Sequence, residues 1–105
     1  MAWHAAGARA AIGAGAIVRR EIAGTAIVLV RAGDAVAVYL DVCPHEGHPL
    51  SEGSIEEGVL ICAKHLWEFD LLTGTHVSRV PKPQFDLRRV PVRVGADGNL
   101  EVELT

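Results

Sequence analysis

The 105-residue sequence predicts an all-β fold, namely an antiparallel β-sandwich or small barrel with a loop-rich subdomain embedded in it. Two observations lead to this class. Seven to nine short apolar segments are separated by turns rich in Gly, Asp, Asn and Pro, and the chain contains no heptad pattern, internal repeat or low-complexity tract. Since a domain usually has about 100–200 residues, we expect a single domain over residues 1–105.

The first half of the chain predicts a set of hairpins. Ala23-Gly24 and a turn at residues 32–34 separate apolar segments, because Gly and Asp allow the backbone conformations of tight turns. The expected strands are residues 16–22, 25–31 and 35–40. The second of these is apolar at almost every position, which indicates a strand covered on both faces. Residues 5–11 are expected to form a short helical turn, since alanine has the highest helix propensity.

The second half predicts shorter strands and longer loops. Pro81-Lys82-Pro83 is a stiff loop that cannot join a central strand, because proline has no N–H to donate. A loop-rich subdomain is therefore expected at about residues 43–83. The expected strands are residues 59–62, 66–70, 87–94 and 100–104, and the alternation in 87–94 predicts that Leu87, Val90, Val92 and Val94 point inward.

Charge and hydropathy exclude two classes of partner. The net charge of −3 argues against nucleic acid, because binding phosphates requires clustered Lys and Arg. The longest uncharged runs have nine residues, whereas a membrane-spanning helix needs roughly 20. The apolar residues after Arg9 loosely resemble a signal peptide, but we favour a β-strand and a helical turn there. We therefore expect a cytoplasmic protein, in which thiols stay reduced and can bind metal.

The two cysteines lie in a metal-binding pattern. Cys43 and His45 form a C-x-H unit, Cys62 and His65 form a C-x-x-H unit, and sixteen residues separate His45 from Cys62. Two sulfur and two imidazole donors suit zinc or an iron–sulfur cluster. The alternatives are a single disulfide, two buried thiols, or a tetrahedral zinc site with the same four ligands.

The pattern C-x-H-x16-C-x-x-H resembles the Rieske [2Fe–2S] motif, and the strings CPHEGHPLSEG and GVLICAKHLWEFDLLTG are similar to Rieske ferredoxins throughout. The resemblance implies the Rieske fold and one [2Fe–2S] cluster, with Cys43 and Cys62 on one iron and His45 and His65 on the other. It also implies a one-electron carrier and not an enzyme. No catalytic triad, phosphate loop or dinucleotide fingerprint accompanies the motif.

The residues around the four ligands refine the resemblance. High-potential Rieske proteins carry Ser and Tyr hydroxyls after the second ligand pair and an additional disulfide, whereas this chain has Trp67 and Phe69 and no further cysteine. We therefore expect a potential on the order of −150 mV, at the low end of the Rieske range. Trp67 is expected to be a core aromatic or a shield over the cluster. Gly47 and Gly53 would let backbone amides approach the sulfides, and Pro81 and Pro83 would cap the cluster.

The string His-Leu-Trp at residues 65–67 is similar to the ferredoxins of toluene-type diiron monooxygenases. This resemblance implies an NADH-dependent flavin reductase as electron donor and the hydroxylase component of an oxygenase as acceptor. The alternatives are a ferredoxin of a ring-hydroxylating dioxygenase, the small subunit of a nitrite reductase, and a structural zinc module. Three other histidines are expected to be surface residues, namely His4, His48 and His76. Four acidic residues between the ligand pairs are expected to be solvated and would also steer a basic partner surface, namely Glu46, Glu52, Glu56 and Glu57.

Overall fold

The computed structural model describes residues 2–13, 15–43, 48–63, 66–77 and 83–104. Within these ranges the chain forms nine β-strands and three short 3-10 turns, at Arg9–Ala11, Leu50–Glu52 and Pro83–Phe85. The strands are β1 (Ala2–Ala8), β2 (Val18–Ile22), β3 (Thr25–Ala32), β4 (Ala35–Leu40), β5 (Ser54–Glu56), β6 (Val59–Ile61), β7 (Glu68–Asp70), β8 (Val92–Val94) and β9 (Asn99–Leu104). They form three antiparallel three-stranded sheets, so the predicted all-β class is confirmed.

The sheet β2-β3-β4 lies between two hydrophobic cores. Alternate residues of β3 point to opposite sides of the sheet. Val28 and Val30 belong to what we call the first core, and Ile27 and Leu29 belong to the second core. All four are at most 1% exposed. Burying each such side chain contributes about 1.5–3 kcal/mol, which explains why β3 is apolar at consecutive positions. The prediction that this strand is covered on both faces is confirmed.

The second core is closed by the sheet β1-β9-β8, through Ala6, Leu100 and Val102. A helical turn was predicted for residues 5–11, but residues 5–8 belong to strand β1, which pairs with β9 from Ala2↔Leu104 to Ala8↔Asn99. This pairing outweighs the helix propensity of alanine, and only Arg9–Ala11 is helical. Val94 was predicted to point inward, but it is 55% exposed at the end of β8.

The first core lies beneath the sheet β5-β6-β7, which follows Cys43 in the chain. Tyr39 of β4 ties this sheet to the central one, since its buried hydroxyl donates a 2.9 Å hydrogen bond to the carbonyl of Leu71. Gly74 packs against the same ring, and a Cβ at Gly74 would lie 2.7 Å from Tyr39. These contacts position the part of the chain that carries the two cysteines.

Candidate metal centre

Cys43 and Cys62 follow strands of two different sheets, and both pack in the first core. Cys43 lies three residues after β4, and Cys62 follows β6 directly. Each is 1% exposed and belongs to the core cluster that contains Tyr39 and Phe69, and neither takes part in a disulfide. The disulfide alternative is therefore not realised in this structure, and both sulfurs are kept from bulk water.

The two cysteines begin loops that are closed in the same way. The backbone N–H of Cys43 donates to the carbonyl of His48 at 2.7 Å, and that of Cys62 donates to the carbonyl of Trp67 at 2.8 Å. We call residues 43–48 the first cysteine loop and residues 62–67 the second. Each loop thus joins a buried thiol to a carbonyl five residues later. This repeated arrangement is a feature that the spacing of the motif alone did not predict.

Four of the eight predicted site residues lie outside the described residues, namely His45, Gly47, His65 and Pro81. Cys43, Cys62 and Trp67 are described, and Pro83 begins the 3-10 turn Pro83–Phe85. In the part of the chain that the structure describes, no group of three or more His, Cys, Asp and Glu side chains could hold a metal ion. Two of the four predicted ligands lie outside that part.

The second cysteine loop ends in an aromatic cluster. The Trp67 ring lies with its centroid 4.8 Å from that of His76 and 5.1 Å from that of Phe85, and His76 lies 5.6 Å from Phe69. His76 was predicted to be a surface residue, but it is only 6% exposed. It forms an antiparallel bridge with Phe69, and its backbone N–H donates to the Asp86 carboxylate at 2.8 Å. Pairing residues outward from both sides of the turn at 71–74 would have placed His76 opposite Phe69.

Leu66 has an unusual backbone conformation directly after the predicted ligand His65. Its φ is +54°, in the left-handed region, and its side chain is 69% exposed. Ala23 and Glu57 also have positive φ, but each opens a two-residue hairpin turn in which a glycine follows. Leu66 is the last residue of the loop between Cys62 and Trp67, and no glycine follows it. A left-handed conformation at a branched residue stores strain, and such strain is concentrated at functional sites.

The surface around the two loops is apolar and acidic. Val42, Leu66 and Val77 are three of the four exposed large hydrophobic residues in the described ranges. Val42 directly precedes the first loop, Leu66 lies in the second, and the N–H of Val77 donates to Glu68, which directly follows the second. A groove of about 390 Å³ opens beside Cys43, between the end of β4 and Phe85. Two exposed carboxylates flank the loops, Glu52 in the turn after the first loop and Glu68 directly after the second, whereas Glu56 and Glu57 lie at the far end of the β5–β6 hairpin.

Two other predicted residues, His48 and Gly53, have contacts within the fold. His48 is partly buried, and its Nε2 lies 3.4 Å from the carboxylate of Glu52. Gly53 lies where a Cβ would collide with the backbone carbonyl of Ile61, so a glycine is required to bring the Leu50–Glu52 turn against β6. No sulfide contact is needed to explain Gly53.

The fold and the two loops define a small β-protein with a pair of buried thiols, the donor type that thiophilic metals and clusters bind. The chain belongs to the Rieske family: the model of the Rieske [2Fe-2S] domain matches residues 2–91. It accordingly carries one [2Fe–2S] cluster. The donor chemistry fits this group, because iron–sulfur clusters are held by cysteine thiolates, and in Rieske centres two histidines replace two of them.

Similar proteins include both small ferredoxins and large oxygenases. The carnitine monooxygenase oxygenase subunit of Escherichia coli (strain K12) is 46% identical over 56 residues, which are 51% of this chain but only 15% of that protein. The anthranilate 1,2-dioxygenase ferredoxin subunit of Burkholderia cepacia is 33% identical over 79 residues, 74% of this chain and 69% of that protein. The chain thus spans a small part of the oxygenases and most of the ferredoxin.

A solved complex of reduced oxygenase and oxidized ferredoxin in carbazole 1,9a-dioxygenase contains a chain with the same fold. The TM-score is 0.80 at 26% identity, and the match covers 98% of this chain and 97% of that one. None of the helical segments described in this structure has the length and hydropathy to cross a bilayer.

Proposed function

We propose that this protein is a low-potential Rieske ferredoxin, a one-electron carrier between an NADH-dependent flavin reductase and the hydroxylase component of an oxygenase. The observation that carries the proposal is the pair of buried thiols at the start of two matching loops, and the similarity to a ferredoxin subunit over 74% of this chain supports it. Such a carrier needs a shielded redox group and a surface for its partners, but it needs no substrate cavity.

We propose Cys43 and Cys62 as the ligands of one iron and His45 and His65 as the ligands of the other. When bound, the cluster supplies a group that accepts and releases one electron. Two thiolates neutralise the two positive charges of a core with two ferric ions and two sulfides, and neutral imidazoles add no charge. A site with four thiolates is more negative and harder to reduce, which accounts for the higher potentials of Rieske centres.

The residues beside the thiols hold the site and keep water out. The core around both cysteines excludes solvent, and the Cys62–Trp67 hydrogen bond fixes the backbone at the second thiol. Trp67 and the fully buried Phe69 carry no hydroxyl that could stabilise the reduced charge. We therefore propose a potential on the order of −150 mV. Residues 43–83 would form the cluster-binding subdomain of a single domain over residues 1–105, with Gly47, Pro81 and Pro83 beside the cluster.

Partner binding is proposed to use the surface next to the two loops. The exposed apolar residues there, rimmed by carboxylates, suit small and transient contacts with a partner that presents basic groups. We favour a cytoplasmic diiron aromatic or alkene monooxygenase as acceptor, because of the His-Leu-Trp string at residues 65–67. A ring-hydroxylating dioxygenase is the second candidate, and the ferredoxin subunit of anthranilate 1,2-dioxygenase favours it.

The test begins with the purified holoprotein. A red-brown protein with two irons per chain and a paramagnetic signal on reduction is expected, whereas a colourless protein with one zinc would refute the proposal. The reduced protein is then mixed with the hydroxylase of a toluene-type diiron monooxygenase and, in parallel, with the oxygenase of anthranilate 1,2-dioxygenase. The expected result is product formation in one mixture that depends on the ferredoxin. Failure with both would mean that the chain is not an oxygenase ferredoxin.

A further inference from the structure

Asp41 is a buried carboxylate whose two oxygens are both occupied. It follows β4 directly and lies two residues before Cys43. Its side chain is 2% exposed. Oδ1 accepts the backbone N–H of Ser51 at 2.8 Å, and Oδ2 accepts the Ser51 hydroxyl at 2.8 Å and the Nε–H of Arg19 at 3.1 Å. A buried charge persists only when it is hydrogen-bonded in this way.

The hydrogen bonds of Asp41 close the first cysteine loop, whereas the second loop is closed by strand pairing. In the second loop the pair Ile61↔Glu68 of β6 and β7 lies immediately outside the Cys62–Trp67 hydrogen bond. The first loop returns into the 3-10 turn Leu50–Glu52, which pairs with no strand in the described ranges. There the Asp41–Ser51 hydrogen bonds join the segment that enters the first loop to the segment that leaves it, just outside the Cys43–His48 hydrogen bond.

The charge of Asp41, two residues before Cys43, would also act on a cluster held at Cys43. Reduction of the cluster adds one negative charge, and a nearby buried carboxylate disfavours it, because Coulomb interactions are weakly screened away from water. Arg19 opposes this effect only partly. Its side chain is 49% exposed, and it is shared with Glu21, whose carboxylate lies 3.6 Å away.

We propose that Asp41 is a positioning residue that closes the first cysteine loop, and that its charge lowers the reduction potential of the cluster. The inference rests on the proposed role of Cys43 as a ligand, but it does not depend on any partner protein. Removing the negative charge should raise the potential, whereas removing the positive charge of Arg19 should lower it. A residue with a purely structural role would not produce these opposite shifts.

The test measures the midpoint potential and the rate of iron loss to a chelator in holoprotein variants. Asp41→Asn is expected to raise the potential and Arg19→Gln to lower it. Ser51→Ala removes the hydroxyl that donates to Asp41, so it should speed iron loss. Because the charge of Asp41 remains, Ser51→Ala should change the potential less than Asp41→Asn does. The matched controls are Arg93→Gln and Glu101→Gln. These two residues form an ion pair in the sheet β1-β9-β8, with Nε and Oε1 2.8 Å apart. The change in midpoint potential that each control shows sets the baseline for the other variants.

Two results would each overturn one part of the proposal. Shifts of Asp41→Asn and Arg19→Gln that stay within the baseline would overturn the electrostatic part, even if both variants are less stable. Unchanged iron loss in Ser51→Ala and Asp41→Asn would overturn the loop-closing part. If Asp41→Asn does not take up the cluster, Arg19→Gln still tests the sign. Cys43→Ser with full iron content would instead refute the ligand assignment, and missing turnover with an oxygenase would refute only the carrier function.

Discussion

The imidazole of His76 packs against the indole of Trp67 with the ring centroids 4.8 Å apart, which links the last residue of the second cysteine loop to the strand region beyond the 71–74 turn. Because the His76 ring also contacts Phe69 and its backbone N–H donates to Asp86, three segments of the chain meet at this residue. The loop that carries Cys62 therefore depends on packing outside the motif.

Replacing His76 tests this dependence. His76→Ala should lower the free energy of unfolding by about 2–3 kcal/mol, since it leaves a cavity between two aromatic rings. His76→Phe should lose less, because an aromatic ring still fills the space. Urea unfolding followed by tryptophan fluorescence measures both variants. His4→Ala, on β1, is the control and should cost under about 1 kcal/mol. An equal loss in His76→Ala and His4→Ala would contradict this prediction.

The left-handed conformation of Leu66 predicts a stabilising substitution. Leu66→Asn should raise the free energy of unfolding by about 0.5–1 kcal/mol, because asparagine tolerates positive φ and little apolar burial is lost. Leu66→Ala keeps the strain and is the control at the same position, with no gain expected. Thermal unfolding of the two variants compares them directly. A lower melting temperature for Leu66→Asn than for Leu66→Ala would show that the backbone is not strained there.

The central sheet could be predicted from the sequence because its signals are local. The turns Ala23-Gly24 and Gly33-Asp34 mark the ends of β3, and the apolar run between them indicates burial on both faces. β1 could not be predicted in this way, since its partner β9 lies at the other end of the chain. The three-residue strand β5 contains Ser, Ile and Glu, too short a segment to show alternation.

The same distinction applies to the candidate site. The spacing of Cys43 and Cys62 is a sequence signal, and the structure buries both thiols in one core. Asp41 has no such signal, and the register through the 71–74 turn would place His76 opposite Phe69 without indicating its contacts with Trp67 and Asp86. Their environments depend on contacts with Ser51, Arg19, Trp67 and Asp86, which come together only through the tertiary fold.

Tyr39 predicts how stability changes in alkaline solution. Burial raises the pKa of Tyr39 to about 12, from 10.0 in an exposed tyrosine. The neutral phenol is thus favoured in the folded protein, and the resulting stability is complete below about pH 10 and is lost as the pH rises towards 12. Tyr39→Phe should remove this loss, while at pH 7 it should cost about 1–2 kcal/mol, because the Leu71 carbonyl loses its donor.

Urea unfolding at pH 7 and near pH 11 measures this effect, with the chain at equal concentration and salt in all samples. The stability difference between the native chain and Tyr39→Phe should narrow at the higher pH. A difference that is the same at both values would show that the Tyr39 hydroxyl ionises equally in the folded and unfolded chains.

His65→Cys tests the mixed ligand set through charge. A third thiolate adds a negative charge to the oxidised site, so the variant should have a lower reduction potential than the native protein or lose the cluster. Protein-film voltammetry measures the potential, and iron analysis measures occupancy. His4→Cys introduces a thiol on β1, in the sheet that closes the second core, and should leave both values unchanged. Native redox behaviour in fully loaded His65→Cys would remove His65 from the proposed ligands, and the second nitrogen donor would then have to be sought among the other histidines.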